Sequence, residues 1–320
     1  MKLKKILIAG ALLLGGTLTA QASSWPDKAV TIVVPYTAGG GTDSIARLLA
    51  QPLSEMWKQT VVVSNKDGAS GTIGAAYVAR AKPDGLTIML SATSEVVISQ
   101  HLMKNMSYNP ETDLKPVTLA VKLPFLLVAN PNKPYKTTEE LVAYAKKHPG
   151  TITYASSGTG TPQHLAGALL EQLSGTKMLH VPYKGVAPSI SALLADQIDI
   201  GFVGLPIGLS HVKAGSLRPI AISSKTASAT TPTVPPVAKA AGLEAFELMQ
   251  WFGIFVPGGT PENIVHQIRE DISTALKMPE LRATIEKQGA EPGGMPTEEF
   301  VEFVRSEREK FGRIVKAANL

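Results

Sequence analysis

A chain of 320 residues with 31 Lys and Arg against 26 Asp and Glu carries a formal charge of +5, and it has no cysteine. The missing thiols exclude disulfides, thiolate catalysis and a lipidated N-terminal cysteine. At this length core burial is ample, and two domains are the expected arrangement.

The N-terminus reads as a secretory leader. Lys2, Lys4 and Lys5 precede the uncharged run from Ile6 to Leu18, and Ala20-Gln21-Ala22 is an A-x-A cleavage signal. The run is too short for a convincing membrane anchor, so cleavage after Ala22 and export are expected, with residues 1–22 removed. Three of the 31 basic residues leave with the leader. The balance becomes 28 against 26, or +2, which gives no argument for nucleic acid.

Beyond the leader, short apolar runs alternate with amphipathic segments. Val30 to Val34 is β-branched, and Ser44 to Trp57 has helical spacing at Ile45, Leu48, Leu49, Leu53 and Met56. Val61 to Val63 reads as a short buried strand, Asn65 to Gly74 as a glycine-rich loop opening a helix through Val78, and Leu86 to Leu90 as a strand. Leu126 to Ala129, Thr151 to Ala155, Met178 to Val181, Ile198 to Val203 and Leu217 to Ile222 are further strands. Helices lie between them at Thr137 to Lys147, where Thr137 and Glu140 form a capping box, at Pro162 to Leu173, and near Ser189 to Leu194. Thr260-Pro261 and Thr297-Glu298-Glu299 open two helices in the C-terminal part. This alternation predicts a mostly parallel sheet with helices on both faces.

One device occurs twice. A strand ends in a glycine-rich turn, and a threonine follows at a helix start: Tyr36 to Gly41 with Thr42 and Asp43, and Ser156 to Gly160 with Thr161 and Pro162. Free amides and the positive end of the helix dipole make such a turn an anion site, and glycine admits close approach. Either turn alone reads more simply as a tight strand–helix connection. The matching threonines favour one anion held from two sides, each hydroxyl capping its helix or donating to a bound oxygen.

Nucleotide motifs fail in detail. No lysine follows the first set of glycines, and Gln163 occupies the place of the third glycine in the second. There is no G-x-S-x-G elbow, the six histidines stand singly, and no metal cluster is expected. His164, one turn into the second helix, is the histidine best placed to face a ligand. Asp43 has two equal readings, a favourable charge at a helix start or a group that fixes the loop. Trp251 and Phe252 read as core, or else as a wall beside a cleft.

Several segments together resemble the substrate-binding receptors of tripartite tricarboxylate transporters, the Bug receptors. They are PYTAGGGTDSIARLL (35–49), SNKDGASGTIGA (64–75), ARAKPDGLTIML (79–90), YASSGTGTPQHLAG (154–167), HVPYKGVAPSISALL (180–194), HVKAGSLRPIAI (211–222) and WFGIFVPGGTP (251–261). The resemblance implies a two-domain α/β periplasmic binding protein of the Venus-flytrap, type II-like kind with two crossing strands. Domain 1 is expected at 23–124 plus 222–320, and domain 2 at 125–221. It further implies a periplasmic receptor and not an enzyme, without cofactor or metal, a monomer by default, with a small carboxylate as ligand and a membrane permease as partner. A sensory receptor serving a membrane kinase, or a periplasmic hydrolase or isomerase using Asp43 or His164, is the alternative.

The expected ligand-binding set is Tyr36, Ala38, Gly39, Gly40, Thr42 and Asp43 in the first loop and Ser91 and Thr93 after the strand ending at Leu90. The second half contributes Ser156, Ser157, Gly158, Thr159, Thr161, His164 and Val203. Thr37 and Ala38 stand where the family often has prolines, and Gly41 adds a further glycine, so the loop is expected to be more flexible. Val203-Gly204 stands where the family often has polar groups. A wall without an acid or amide there points to a carboxylate lacking an amino group, such as a di- or tricarboxylate or an aromatic acid.

Overall fold

The computed structural model describes residues 25–320, so the leader and its cleavage point lie outside the described residues. The chain runs β1 (Val30–Val34), α1 (Gly41–Trp57), β2 (Val61–Asn65), α2 (Thr72–Ala79) and β3 (Thr87–Ser91). A π-helical turn, Ser94–Ile98, then leads into α3 (Ser99–Leu102). There follow β4 (Leu114–Ala129), α4 (Thr138–Lys147), β5 (Thr153–Ser156), α5 (Pro162–Ser174), β6 (Leu179–Pro182) and α6 (Val186–Leu194). The remainder comprises β7 (Ile200–Gly204), α7 (Leu205–Lys213), β8 (Arg218–Ile222), β9 (Met249–Pro257), α8 (Glu262–Lys277), α9 (Pro279–Lys287), β10 (Glu291–Pro292) and α10 (Thr297–Ala317).

The sheet order is β2-β1-β3-β9-β4-β7-β5-β6, with β8 and β10 also paired to β4. The expected mostly parallel sheet is corrected to a mixed one. β1, β2 and β3 pair in parallel, as do β6, β5 and β7, but every pairing made by β4 and β9 is antiparallel. The reason lies in β4, whose 16 residues were legible only at Leu126 to Ala129. Lys115, Pro116, Lys122 and Pro124 disguise its first part. Register shifts at Pro116/Thr118 and Leu119/Val121 keep the ladder with β9, as bulges do where proline removes a donor.

β4 joins two halves. Leu114 to Pro124 pair with β9, and Phe125 to Ala129 pair with β7, while β8 pairs along Leu126 to Ala129. Ser223, just past β8, sits beside this change of partner. Its hydroxyl accepts the Phe125 N–H (2.8 Å) and donates to the Leu248 carbonyl (2.6 Å), at the entry to β9.

Each half has helices laid on its strands. Ile45, Leu49 and Leu53 of α1 and Val265, Ile268 and Ile272 of α8 close one apolar cluster with β1, β3 and β9. In the other half Leu165 and Leu169 of α5 pack with Tyr154 and Phe202, and Ile190 and Leu193 of α6 pack on the opposite face. Both faces are covered, as parallel strands require. β2 differs from its expectation. It is the sheet edge, and Val62 is 47% exposed, so this run is half-covered.

Helix starts also differ in detail. α1 begins at Gly41 behind Gly40, and the cap of α8 is Pro261, whose predecessor Thr260 donates to the Pro257 carbonyl (2.8 Å). In α4 the Thr137 hydroxyl accepts the Glu140 N–H as expected (3.2 Å), while Glu140 reaches the Lys136 N–H (2.6 Å). Among the described residues no helix is long and apolar enough to cross a membrane.

Candidate functional site

The first glycine-rich loop leaves β1 at Tyr36 and enters α1 at Gly41. Gly39 needs its left-handed φ of +83° to make the turn, and Gly40 caps the helix in an extended conformation. The first bond of the helix runs from the Ser44 N–H to the Gly40 carbonyl (2.9 Å), which leaves the amides of Gly41, Thr42 and Asp43 without helical partners. Residues 37–41 are exposed, so these donors border open space.

Asp43 is turned away from that space. Its carboxylate accepts Arg47 Nε (2.9 Å), Arg47 Nη2 (3.1 Å), the Gly39 N–H (2.9 Å) and Asn65 Nδ2 (3.0 Å). Asn65 also donates to the Tyr36 carbonyl (2.9 Å). Arg47 above all, then the Gly39 and Asn65 donors, hold the Asp43 carboxyl down at about 2 against the cost of burial. Asp43 thus ties both ends of the loop to β2, and the Gly39 amide serves the loop itself.

The second loop leaves β5 at Ser156 and enters α5 at Pro162. Gly158 and Gly160 take φ of +142° and +77°. The Ser156 hydroxyl accepts the Gly158 N–H (3.1 Å) and lies 2.6 Å from His180 Nε2. Thr161 caps with its backbone alone, and its hydroxyl donates to the Gly158 carbonyl (2.7 Å). Leu165 makes the first helical bond to Thr161, and Pro162 has no N–H, so the amides of Gln163 and His164 are the unpaired donors of this first turn.

His164 is buried, and its Nδ1 accepts the Gly160 N–H (3.0 Å). Its ring lies flat on His180 at 3.6 Å and 10°, next to Tyr154. Burial pushes both imidazoles down to about 4, the neighbouring His180 adding to the effect on His164. His164 therefore acts as a neutral prop beneath the loop. His180 was missed because sixteen residues and a strand crossover separate the two rings in sequence.

A floor lies between the loops. Tyr36 ends β1 and donates its hydroxyl to Glu95 Oε2 (2.6 Å), while the Ser91 hydroxyl (2.9 Å) and the Ala92 N–H (2.7 Å) reach Oε1. Thr93 faces the Trp251 backbone at 3.4 Å. Beside this floor Gly68, Ala69, Ser70 and Gly71 all adopt positive φ, and for Ala69 (+46°) and Ser70 (+53°) that is a strained geometry of the kind held at functional sites. Glu95 and Ser70 were not among the expected residues. The signal for Glu95 was its standing as the one charged residue from Leu86 to Gln100.

A cavity of about 260 Å³ opens on this floor, lined by Ala69, Ser70, Ser94, Ser99, Leu102 and Met103 from one half and Thr159 and Gly160 from the other. The structure thus brings the second loop to the floor, and Tyr36 joins the floor to the first loop. Gly160 passes close to Leu102, where a Cβ would meet Cδ1 at 2.2 Å. Trp251 and Phe252 are core residues, and the Phe252 ring lies beneath Gly41. Val203 is also in the core, clustered with Leu126, Leu193 and Leu205. Its side chain does not form an open wall.

Two α/β halves that share β4, with a cleft floored by hydroxyls and bordered by two helix starts, define a solute receptor of the periplasmic-binding kind. The chain belongs to the tripartite tricarboxylate transporter receptor family, whose model matches residues 45–320. It is 31% identical to the protein BugT of Bordetella pertussis over 92% of this chain and 91% of the relative. A Rhodopseudomonas palustris protein solved with adipate superposes with a TM-score of 0.83 at 32% identity, covering 92% of this chain and 98% of that one. MatC from the same organism, solved with bound malate, gives 0.79 at 29% identity, covering 91% and 100%. The family consists of periplasmic solute-binding receptors and not of enzymes.

Proposed function

We propose that this chain captures a small carboxylate, in the first instance a dicarboxylate, between its two glycine-rich loops and presents it to the membrane permease of a tripartite transporter. The observation that carries this reading is the pair of helix starts with unpaired amides, Gly41 to Asp43 and Gln163 to His164, one in each half. Adipate and malate in the related structures supply the chemical class.

On this reading the leader is cleaved after Ala22 and the receptor works as a monomer in the periplasm. Domain 1 comprises residues 23–124 and 222–320, and domain 2 residues 125–221. Rotation about the change of partner at Pro124/Phe125, with Ser223 beside it, closes the cleft. Loop residues Ala38 to Thr42 and Ser157 to Thr161 meet the ligand. Tyr36, Asp43, Ser91, Thr93, Ser156 and His164 shape their surroundings. With Val203 in the core, selectivity falls instead to Ser70, Ser94, Ser99 and Thr159 around the cavity.

A thermal-shift screen of the mature protein over di-, tri- and aromatic carboxylates and amino acids tests the reading. Stabilisation by a carboxylate without an amino group, with stoichiometric binding and no turnover, is the expected result. Stabilisation by amino acids alone would refute it.

A further inference from the structure

Glu95 is fully buried, and none of its hydrogen-bond donors is a cation. A buried carboxylate held by neutral donors is costly unless it can accept a proton. Its partners sit at the ends of two elements that shape the cleft: Tyr36 just past β1, where the first loop starts, and Ser91 and Ala92 at the end of β3. Gly71 closes a further side. A Cβ there would lie 2.9 Å from the Glu95 carboxyl carbon and 3.1 Å from the Tyr36 hydroxyl, so the strained turn over Ala69 and Ser70 rests directly on this carboxyl. Ser94, the residue before Glu95, lines the cavity with Ser70.

The ionisable groups packed around Glu95 are phenols. Tyr36 approaches from β1, and the Tyr108 hydroxyl, from the segment after α3, donates to the Glu95 backbone carbonyl. Their burial and the Glu95 charge hold both phenols well above their ordinary values. α10 packs against the π-helical turn, and its buried or half-buried charged groups Glu307, Arg308 and Lys310 have partners other than Glu95, although Arg308 Nε itself is unpaired. Glu307 accepts Trp251 Nε1 (3.0 Å) and pairs with Lys310, and Arg308 pairs with Glu111. His101 of α3 bonds the Arg308 carbonyl (3.0 Å), and the ionisable groups of α2, Tyr77 and its following Arg80, lie towards the outer surface.

We propose that Glu95 is the positioning residue of the cleft floor and that it takes up a proton from solvent as an anionic ligand binds. The proposal rests on the carboxylate reading above. An incoming carboxylate places a second negative charge beside a buried one, and protonating Glu95 removes the repulsion while keeping its hydrogen-bonded shape. Burial already pushes Glu95 up to about 7, so the exchange falls in the range where a receptor works. Asp43, His164 and His180 lie at about 2, 4 and 4, outside that range.

Calorimetric titration with adipate and with malate, from pH 6.0 to 8.5 in buffers of different ionisation heat, tests this. Wild type is expected to bind roughly three- to tenfold tighter at the acid end, with proton uptake near pH 7.5, because linkage makes the two effects reciprocal. Glu95→Gln should hold near the acid-end affinity across the range with no proton uptake. Tyr36→Phe, which removes a donor that favours the carboxylate, should move the transition to higher pH. Binding of either acid by wild type with no pH dependence and no proton exchange would overturn the proposal, as would a Glu95→Gln variant that binds with the wild-type pH profile. No heat at any pH with either acid or with any di-, tri- or aromatic carboxylate of the thermal-shift screen would overturn the carboxylate reading itself, and the coupling with it.

Discussion

Replacing Asp43 with Asn removes the charge that organises the first loop while keeping the size of the side chain. Four donors converge on that carboxylate, and the fall from 3.8 to about 2 corresponds to about 2.4 kcal/mol of preference for the ionised form in the native state. Arg47, the main cause, has a side chain 55% exposed, so solvent screening reduces the expected loss to about 1–2 kcal/mol. For a chain of this size that is a fall in Tm of roughly 2–4 °C. Because Asn turns one of the two oxygens into a donor, either the Gly39 N–H and Arg47 Nε or Arg47 Nη2 and Asn65 Nδ2 would lose their acceptor. The loop must then be ordered at the expense of binding, and Kd for the best carboxylate should rise roughly three- to tenfold. Asp43 is a depressed acid, so its contribution is complete above about pH 4 and is lost as pH falls towards 2. Wild type and variant should therefore differ throughout pH 5–8 and converge in strong acid. Calorimetry of unfolding and of binding on the two proteins checks both numbers. Equal Tm and equal Kd at pH 7 would show that the loop holds its shape without this carboxylate.

The glycines and the buried histidines give two further expectations. Gly39→Val and Gly158→Val each put a branched side chain at a positive φ, and nothing lies within 3.5 Å of the added Cβ in either case. The fold should survive with a modest loss of stability while ligand binding is abolished, read by circular dichroism beside calorimetry; undiminished affinity in both variants would end the two-loop account. His164→Ala removes the acceptor for Gly160 and opens a cavity beside His180, at a cost of roughly 2–4 kcal/mol in denaturant unfolding. Both imidazoles are depressed bases that stay neutral when folded, so together they lower stability as pH drops from about 6.5 towards 4. The variant should lose part of that acid sensitivity, and an identical pH profile would contradict the stacked-pair reading.

The two loops were legible because glycine spacing and a helix start are local properties, read within ten residues of chain. The alternation of strands and helices was legible for the same reason. The mixed sheet was not, because Pro116 and Pro124 interrupt a strand whose identity is set by β9, more than 120 residues away. The helical stretch from Ser94 to Leu102 escaped because its apolar and polar residues follow neither a strand nor an α-helical period. Inward-facing amides were equally hidden. Only the folded chain shows that Gly39 serves Asp43 and Gly160 serves His164, which leaves fewer donors for a ligand than the glycines suggest. The packing of Val203 was hidden because it is set by Leu126 of β4, Leu193 of α6 and Leu205 of α7, which the local sequence around the strand end does not reveal.

Ser223 gives the receptor a mechanical character. One hydroxyl holds the strand that enters the second half and the strand that returns from it, through Phe125 and Leu248. In the closure proposed above, these bonds couple the two connections at one point, like the spine of a book. Ser223→Ala removes the hydroxyl's share of this link, leaving the backbone bonds from the Ser223 N–H to Phe125 (2.9 Å) and from the Leu248 N–H to Ser223 (3.2 Å), and should modestly broaden the spread of inter-domain distances measured between paired spin labels without ligand. A distribution as narrow as that of wild type would assign the stiffness to the strands alone.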